Sequence, residues 1–214
     1  MNASLAHSPQ GILRLAVCAV LLQAYAITGI VALVLQSGAK TLTATAVPIA
    51  IGSVGMDCVL GAGFFLFLGL REFARLDRKY FVPSVLTILL LVGLAIVTTA
   101  QVLAAAALTD IPSAYSSFRS DLAVATIGYL ISFLGFIGGA VGLWRVGARY
   151  KNNAIKIAAI TFVFSFGGAS VYLLLFPLFT GVLLLVSALQ PKKPSIEEPA
   201  TQLPPQIDPP STEP

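Results

Sequence analysis

The sequence predicts an all-α fold: a polytopic transmembrane helical bundle with about five spans and a cytoplasmic N-terminus. Three observations lead to this prediction: an apolar composition, a series of long apolar runs, and basic residues concentrated in alternate loops. Hydrophobic residues make up 57% of the 214 residues and charged residues only 10%, whereas a soluble domain carries about 25% charged residues. We therefore expect a multi-pass protein of the cell membrane.

The apolar runs define the domain organisation. Runs of about 17–25 residues are long enough to cross the hydrocarbon core as helices. We predict an N-terminal tail over 1–11, a transmembrane bundle over 12–189 and a disordered, Pro-rich acidic tail over 190–214, which holds eight of the 13 prolines and cannot bury a core. The first four spans are predicted over 12–35, 47–70, 82–108 and 122–144, and the last apolar run covers 157–189.

The last apolar run has an unusual length of 33 residues, from 157 to 189. As a helix it would measure about 50 Å, too long for one crossing of a core about 30 Å thick and too short for two. One interpretation is a single tilted helix kinked at Pro177, which leaves the tail outside. The other is a break at "FGGAS", residues 166–170, into two half-depth helices that return the tail to the cytoplasm. Simplicity favours the first, and the inside-positive bias of Lys192 and Lys193 favours the second.

The basic residues give the orientation. The loops over 71–81 and 145–156 hold four Lys or Arg residues each, whereas the loops after the first and third spans hold only Lys40 and Arg119. This asymmetry predicts that the N-terminus is inside. Each basic residue near an anionic leaflet contributes about 1 kcal/mol, so we expect the membrane lipids to be partners; a docking surface for an acidic cytosolic protein is the alternative. The candidate headgroup contacts are Arg71, Arg75, Arg78, Arg145, Arg149 and Lys156.

The same two loops carry a resemblance to a known family. "GLREFARLDRKYFVPSVLTILLLVGLAI" and "GLWRVGARYKNNAIKIAAITFVF" resemble an archaeal family of multi-pass membrane proteins, the domain of unknown function numbered 973. The resemblance implies an archaeal membrane and several spans, and it implies no activity. The residues that match are Arg71, Phe73, Leu76 and Asp77 in the first stretch, and Arg145, Gly147, Arg149, Tyr150 and Asn152 in the second.

A carboxylate lies inside the second span. Asp57 is about ten residues, or about 15 Å, from the outer end of its helix, and an ionised carboxylate there costs about 2.5–3.5 kcal/mol on insertion scales. An intramembrane acid predicts a functional site that handles protons or cations; the alternative is a hydrogen bond between helices. The same counting places other polar side chains near this depth, and the candidate intramembrane polar site is Asp57, Gln23, Tyr25, Thr98, Gln101 and Ser132.

Small residues are concentrated in the fourth span. Glycines spaced four residues apart let two helices approach closely, either within one chain or between chains. We expect packing within the chain here, or else self-association or contact with other membrane proteins. The residues concerned are Gly135, Gly138, Gly139 and Gly142.

The function class follows from what the sequence lacks. It contains no Ser/His/Asp set, no Walker loop and no metal-ligand spacing, and it has one His and two Cys residues. We expect no enzyme, no cofactor, no bound metal and no nucleic-acid partner. The prediction is a non-enzymatic membrane protein that packs as a bundle and organises partners or lipids. The alternative is a small transporter or channel subunit that uses Asp57.

Overall fold

The structure, a computed structural model, describes residues 9–38, 42–107, 114–165 and 171–189. All of the regular structure in these ranges is helical, so the predicted all-α fold is confirmed. The predicted Pro-rich tail over 190–214 lies outside the described residues. The elements in chain order are α1 (Pro9–Gly38), α2 (Leu42–Leu76), a 3-10 turn (Arg78–Tyr80), α3 (Phe81–Ala107), α4 (Ala114–Arg149), α5 (Asn153–Phe164) and α6 (Val171–Leu189).

Five of these helices are long and apolar enough to cross a membrane. The chain is therefore a multi-pass membrane protein, as the composition predicts. The exception is α5, which has 12 residues and at about 1.5 Å per residue extends only about 18 Å, or roughly half the hydrocarbon core. The candidate spans are Gln10–Gly38, Ile51–Leu76, Arg78–Leu103, Ala123–Arg149 and Tyr172–Leu189.

The helices pack in the order in which they follow in the chain. Each helix packs against its neighbours in the chain, and α6 closes the bundle by packing against α1. The core lies where the helices face one another, and it consists of buried aliphatic and aromatic side chains. Because the helices pack closely, these side chains interdigitate. Its largest members include Leu22, Leu66, Leu90, Leu143 and Phe162.

The last apolar run forms two helices, so the single kinked helix is the wrong interpretation. The hydroxyl groups of Thr161 on α5 and Thr180 on α6 lie 2.7 Å apart, and the rings of Phe164 and Phe176 lie 5.4 Å apart. From the first of these contacts to the second, the residue number rises on α5 and falls on α6, so the two helices are antiparallel. The second interpretation is correct that there are two helices, and its break at 166–170 lies outside the described residues. With 19 residues, α6 is closer to a full span than to half of one. Pro177 lies inside α6.

The direction of α6 places both ends of the described chain on one side. A Cβ atom added at Gly181 would lie 2.7 Å from the Ala19 carbonyl oxygen, and one added at Gly29 would lie 2.9 Å from the Leu174 side chain. These contacts make α6 antiparallel to α1. α4 ends on the side where α1 begins and α5 runs away from that side, so α6 brings Leu189 back to it.

This topology predicts which side of the membrane Leu189 faces. In a chain with Cys18→Ala and Cys58→Ala, we expect Leu189→Cys to react with a membrane-impermeant maleimide applied to the inner face. Lys151→Cys, in the turn after α4, marks that face, and Ser37→Cys, near the end of α1, marks the outer face. Both positions are exposed. Reaction of Leu189→Cys only from the Ser37 side would contradict the antiparallel α5–α6 pair.

Backbone contact between α3 and α4 depends on glycine. Cβ atoms added at Gly135 and Gly138 would overlap the Leu90 backbone and the Leu86 side chain of α3. Gly139 and Gly142 instead face side chains of α2 and α5: Leu66, Phe162 and Leu70. These four glycines are all buried, and the helices that cover them belong to the same chain. In this structure these glycines therefore serve the packing of helices within the chain.

Candidate functional site

The inner end of the bundle is built around an aromatic cluster. The backbone leaves α2 at Leu76, and the carboxylate of Asp77 accepts a hydrogen bond of 3.0 Å from the Lys79 amide, which caps the 3-10 turn. Tyr80 is buried, with its ring centre 5.6 Å from that of Phe73. Phe73 in turn lies 6.2 Å from the Tyr150 ring. These aromatic contacts hold α2, the 3-10 turn and the end of α4 together.

An open pocket of about 750 Å³ lies beside this cluster, between the α2–α3 turn and the last turns of α4. We name it the basic pocket. Four cationic side chains against one carboxylate leave it a net charge of +3. Its lining residues are Leu76, Asp77, Arg78, Lys79, Tyr80, Arg145, Ala148 and Arg149.

Two hydrogen bonds join the walls of the basic pocket. The Tyr80 hydroxyl donates to the Arg145 carbonyl oxygen at 3.1 Å, and the Arg145 guanidinium donates to the Lys79 carbonyl oxygen. Arg149, one helical turn further along α4, interacts with the Tyr80 hydroxyl. The arginines of α4 are therefore held against the turn, so the structure presents their charges in a defined arrangement.

The basic pocket gathers three of the six predicted headgroup contacts: Arg78, Arg145 and Arg149. It also contains Lys79 and Tyr80, which sequence reasoning did not include in the site. The stretch "DRKY" holds the signal that identifies them, because a capping aspartate before two basic residues and a tyrosine indicates a tight turn at the membrane surface.

The other three predicted contacts lie elsewhere. Arg71 and Arg75 are exposed on α2, and Arg75 forms a 3.2 Å ion pair with Glu72. The ammonium of Lys156 lies 5.9 Å from the centre of the Trp144 ring. Arg78 does not continue the face of Arg71 and Arg75, because α2 ends at Leu76 and Arg78 lies in the 3-10 turn.

Glu72 also joins α1 to α2 near the inner surface. The Arg14 guanidinium lies 3.3 Å from the Glu72 carboxylate and donates to the Leu68 carbonyl oxygen at 3.1 Å. Arg75 contacts the same carboxylate oxygen, so two cations share one acid. These charges are paired within the chain, and they are separate from the lining of the basic pocket.

The chemistry of the basic pocket is that of anion binding. A guanidinium presents a planar set of donors that matches phosphate and carboxylate oxygens, and the pocket contains three of them. Among its lining residues there is no His, Cys or Ser, and the only hydroxyl group is that of Tyr80, which donates to a backbone carbonyl. The arrangement therefore suits reversible binding of a phosphate-bearing group.

The six intramembrane polar residues do not form one site. Gln23 packs against Gly181 of α6, and Ser132 is buried against Gly93 of α3. Asp57 is exposed on α2. Of the others, Tyr25 is half-buried on α1, Thr98 donates to the Leu94 carbonyl oxygen of its own helix at 2.8 Å, and Gln101 is exposed on α3.

The six polar residues lie apart because counting residues along a helix gives the depth of a side chain in the membrane but not the direction in which it points. Side chains at one level point to different neighbours, because each helix turns by about 100° per residue. The alternative function, a transporter or channel subunit built around Asp57, therefore has no gathered polar site in the described part of the chain.

Possible metal ligands are few. Within the described ranges no three His, Cys, Asp or Glu residues lie close enough to hold a metal ion. Cys18 is a buried free thiol and Cys58 is a half-buried one. Both lie in spans, where thiols pack as small apolar groups.

Comparisons of the chain with protein-family models, with curated proteins and with solved structures find no match. The resemblance to the archaeal family therefore stays a prediction. Several residues that carry it have local roles in the inner turns: Asp77 caps the 3-10 turn, Phe73 contacts the Tyr150 ring, and Asn152 caps α5 through the amides of residues 154 and 155.

Proposed function

We propose that this protein is a non-enzymatic component of the cell membrane that binds anionic lipid headgroups in the basic pocket and organises the lipids around it. The observation that supports this function is the pocket itself: a net charge of +3 in about 750 Å³ at the end of the bundle where the loops carry most of the positive charge. Basic pockets between transmembrane helices on the cytoplasmic side are typical sites for phosphorylated headgroups.

The depth of the pocket fits a headgroup. Leu76 and Ala148 supply apolar lining, which suits the start of an acyl or alkyl chain. The cations lie in the 3-10 turn and in the last turns of α4. Trp144 is exposed one residue before Arg145, and tryptophan favours the membrane–water interface. A lipid can therefore place its apolar part against the bundle while its phosphate lies among the arginines.

The charges within the pocket are not all available to a ligand. Asp77 accepts from the Lys79 amide, and its second oxygen lies 4.0 Å from the Lys79 ammonium. This lysine is therefore partly neutralised by the chain itself. Arg78, Arg145 and Arg149 remain as donors, and a guanidinium has five N–H groups, so a bond to one carbonyl leaves several for an anion.

The test compares two variants with the same change of net charge, each of which replaces one arginine with glutamine. We expect anionic lipid to raise the melting temperature of the purified wild-type protein more than zwitterionic lipid does. Arg149→Gln should weaken this effect so that about tenfold more anionic lipid is needed, which corresponds to about 1.4 kcal/mol. Arg71→Gln, with the same charge change outside the pocket, should weaken it less, by no more than the general surface effect of about 1 kcal/mol. An equal response of the two variants would exclude the pocket as the binding site.

A further inference from the structure

The cations of the basic pocket come from its two walls. On one wall Arg78 lies in the 3-10 turn, and on the other wall Arg145 and Arg149 lie in the last turns of α4. The fourth cation, the ammonium of Lys79, lies 4.0 Å from a carboxylate oxygen of Asp77. Because this lysine and this aspartate offset each other, the three arginines account for the net charge of +3.

The three arginines differ in what they contact within the chain. The Arg145 guanidinium donates to the Lys79 carbonyl oxygen, and Arg149 interacts with the Tyr80 hydroxyl. Arg78 is exposed, and no hydrogen bond or ion pair joins its side chain to any of the described residues. The α4 wall is therefore held in place, while Arg78 keeps all of its N–H groups for a ligand.

We propose that the headgroup bound in the basic pocket is a phosphomonoester, a phosphate group with one carbon substituent, rather than a phosphodiester. This inference rests on the proposed function, because it names the chemical class of the headgroup that the pocket binds. The observation that supports it is that three guanidinium groups, from two different walls, line one cavity.

A phosphomonoester matches this cavity in charge. Near pH 7 its charge is about −1.5 to −2, whereas a phosphodiester has a single negative charge. Against a net charge of +3, a phosphodiester leaves two positive charges unbalanced, and a doubly charged phosphomonoester leaves one. Since Coulomb attraction grows with the product of the charges, the three arginines favour the ligand with the larger negative charge.

A phosphomonoester also matches the cavity in its number of oxygens. It has three terminal oxygens that accept hydrogen bonds, whereas a phosphodiester has two. Arginine donates to such oxygens through pairs of N–H groups, so three arginines can each bind a different oxygen of a phosphomonoester. With a phosphodiester, one of the three arginines has no terminal oxygen of its own. We expect Arg78 to bind the third oxygen, because it comes from the wall opposite α4.

The apolar lining indicates that the phosphate belongs to a lipid. Leu76 and Ala148 are exposed and line the same pocket as the arginines. The first carbons of an acyl or alkyl chain cover this apolar surface, which a free phosphate leaves in contact with water. A soluble phosphomonoester should therefore bind the same arginines more weakly than a lipid with the same phosphate.

Lipid titration at two pH values tests the proposal. At about pH 8, the full-length protein in uncharged detergent should bind phosphatidic acid, a phosphomonoester, about tenfold more tightly than phosphatidylglycerol, a phosphodiester, with the same acyl chains. At about pH 5 the preference should fall to about twofold, because the second pKa of a phosphomonoester is about 6 and most of it then has one charge. Phosphatidylglycerol meets the same side chains at both pH values, so it controls for any titration of Asp77, Lys79 or Tyr80.

A pair of variants tests which arginine supplies the preference. At about pH 8, Arg78→Gln should reduce the preference for phosphatidic acid to about twofold, because the third oxygen loses its charged donor. Arg71→Gln, the matched control outside the pocket, should keep the preference of the wild type. Both side chains are exposed, so neither change disturbs the core. Equal preferences in the two variants would contradict the role of Arg78.

The possible results separate this inference from the proposed function. If the wild type binds both anionic lipids equally at about pH 8, and both more tightly than a zwitterionic lipid, the phosphomonoester is wrong and the proposed function stands. If neither anionic lipid binds more tightly than the zwitterionic one, the proposed function is wrong, and this inference falls with it. If soluble glycerol 3-phosphate binds as tightly as phosphatidic acid, the ligand is a soluble phosphomonoester and the lipid is excluded.

Discussion

Gly135→Ala is expected to lower the free energy of unfolding by about 3 kcal/mol, the upper end of the usual cost of overpacking. The added methyl group would overlap the backbone nitrogen and Cα of Leu90 on α3. Backbone atoms cannot rotate away as a side chain can, so α3 and α4 must move apart. Their separation loosens the contacts of the whole pair, including those at Gly138 and Gly93.

Gly52→Ala is the matched control for this substitution. It makes the same chemical change inside a helix, but among the described residues no side chain and no other helix lies within 4 Å of the position of the added methyl group. Because alanine favours the helix over glycine by about 1 kcal/mol, this variant should be as stable as the wild type or slightly more so. Unfolding curves in detergent measure the free energy of unfolding of both variants. If the two variants unfold together, the backbone contact of α3 with α4 described above is wrong.

The second large effect is expected from removing both arginines of α4 from the basic pocket. Arg145→Gln combined with Arg149→Gln should weaken the binding of an anionic lipid about a hundredfold. Each hydrogen bond to a charged group contributes about 1.5–3 kcal/mol, and about 1.4 kcal/mol is tenfold in affinity. Arg145 also joins α4 to the 3-10 turn through the Lys79 carbonyl, so its loss frees that wall of the pocket.

The control for the double variant keeps the net charge change and moves it out of the pocket. Arg71→Gln combined with Arg75→Gln removes two charges from the outward side of α2, at the same surface of the membrane. If headgroups bind in the pocket, this control should lose about fivefold, because the general surface effect is about 1 kcal/mol for each free charge and Arg75 is already paired with Glu72. Similar losses in the two double variants would indicate diffuse attraction to the whole inner surface. Titration with a fluorescent anionic lipid measures the affinity of the wild type and of both double variants.

The helices of the fold could be predicted from the sequence because hydrocarbon thickness sets a minimum length for an apolar run. The predicted spans over 12–35 and 82–108 lie within a few residues of α1 and α3. The run over 157–189 did not give a unique answer, because apolar composition does not show where a helix stops. Its division into α5 and α6 depends on packing against α4 and α1.

The candidate site was predictable in part. Arg78, Arg145 and Arg149 belong to loops that the charge asymmetry identifies. They lie close together because α2 and α4 end on the same side of the bundle. Asp57 shows the limit of this reasoning. Its depth could be counted along the sequence, but its direction depends on which side of α2 is buried, and that is a property of the assembled bundle.

The central claim is that the basic pocket holds an anionic headgroup, and native mass spectrometry tests it most directly. Protein released from bilayers with equal anionic and zwitterionic lipid should keep at least one anionic lipid per chain. Arg71→Gln should keep the same lipid, and Arg149→Gln should lose it. If the wild type and both variants retain lipids in the proportions of the bilayer, the pocket has no preference for anionic headgroups and the proposed function is wrong.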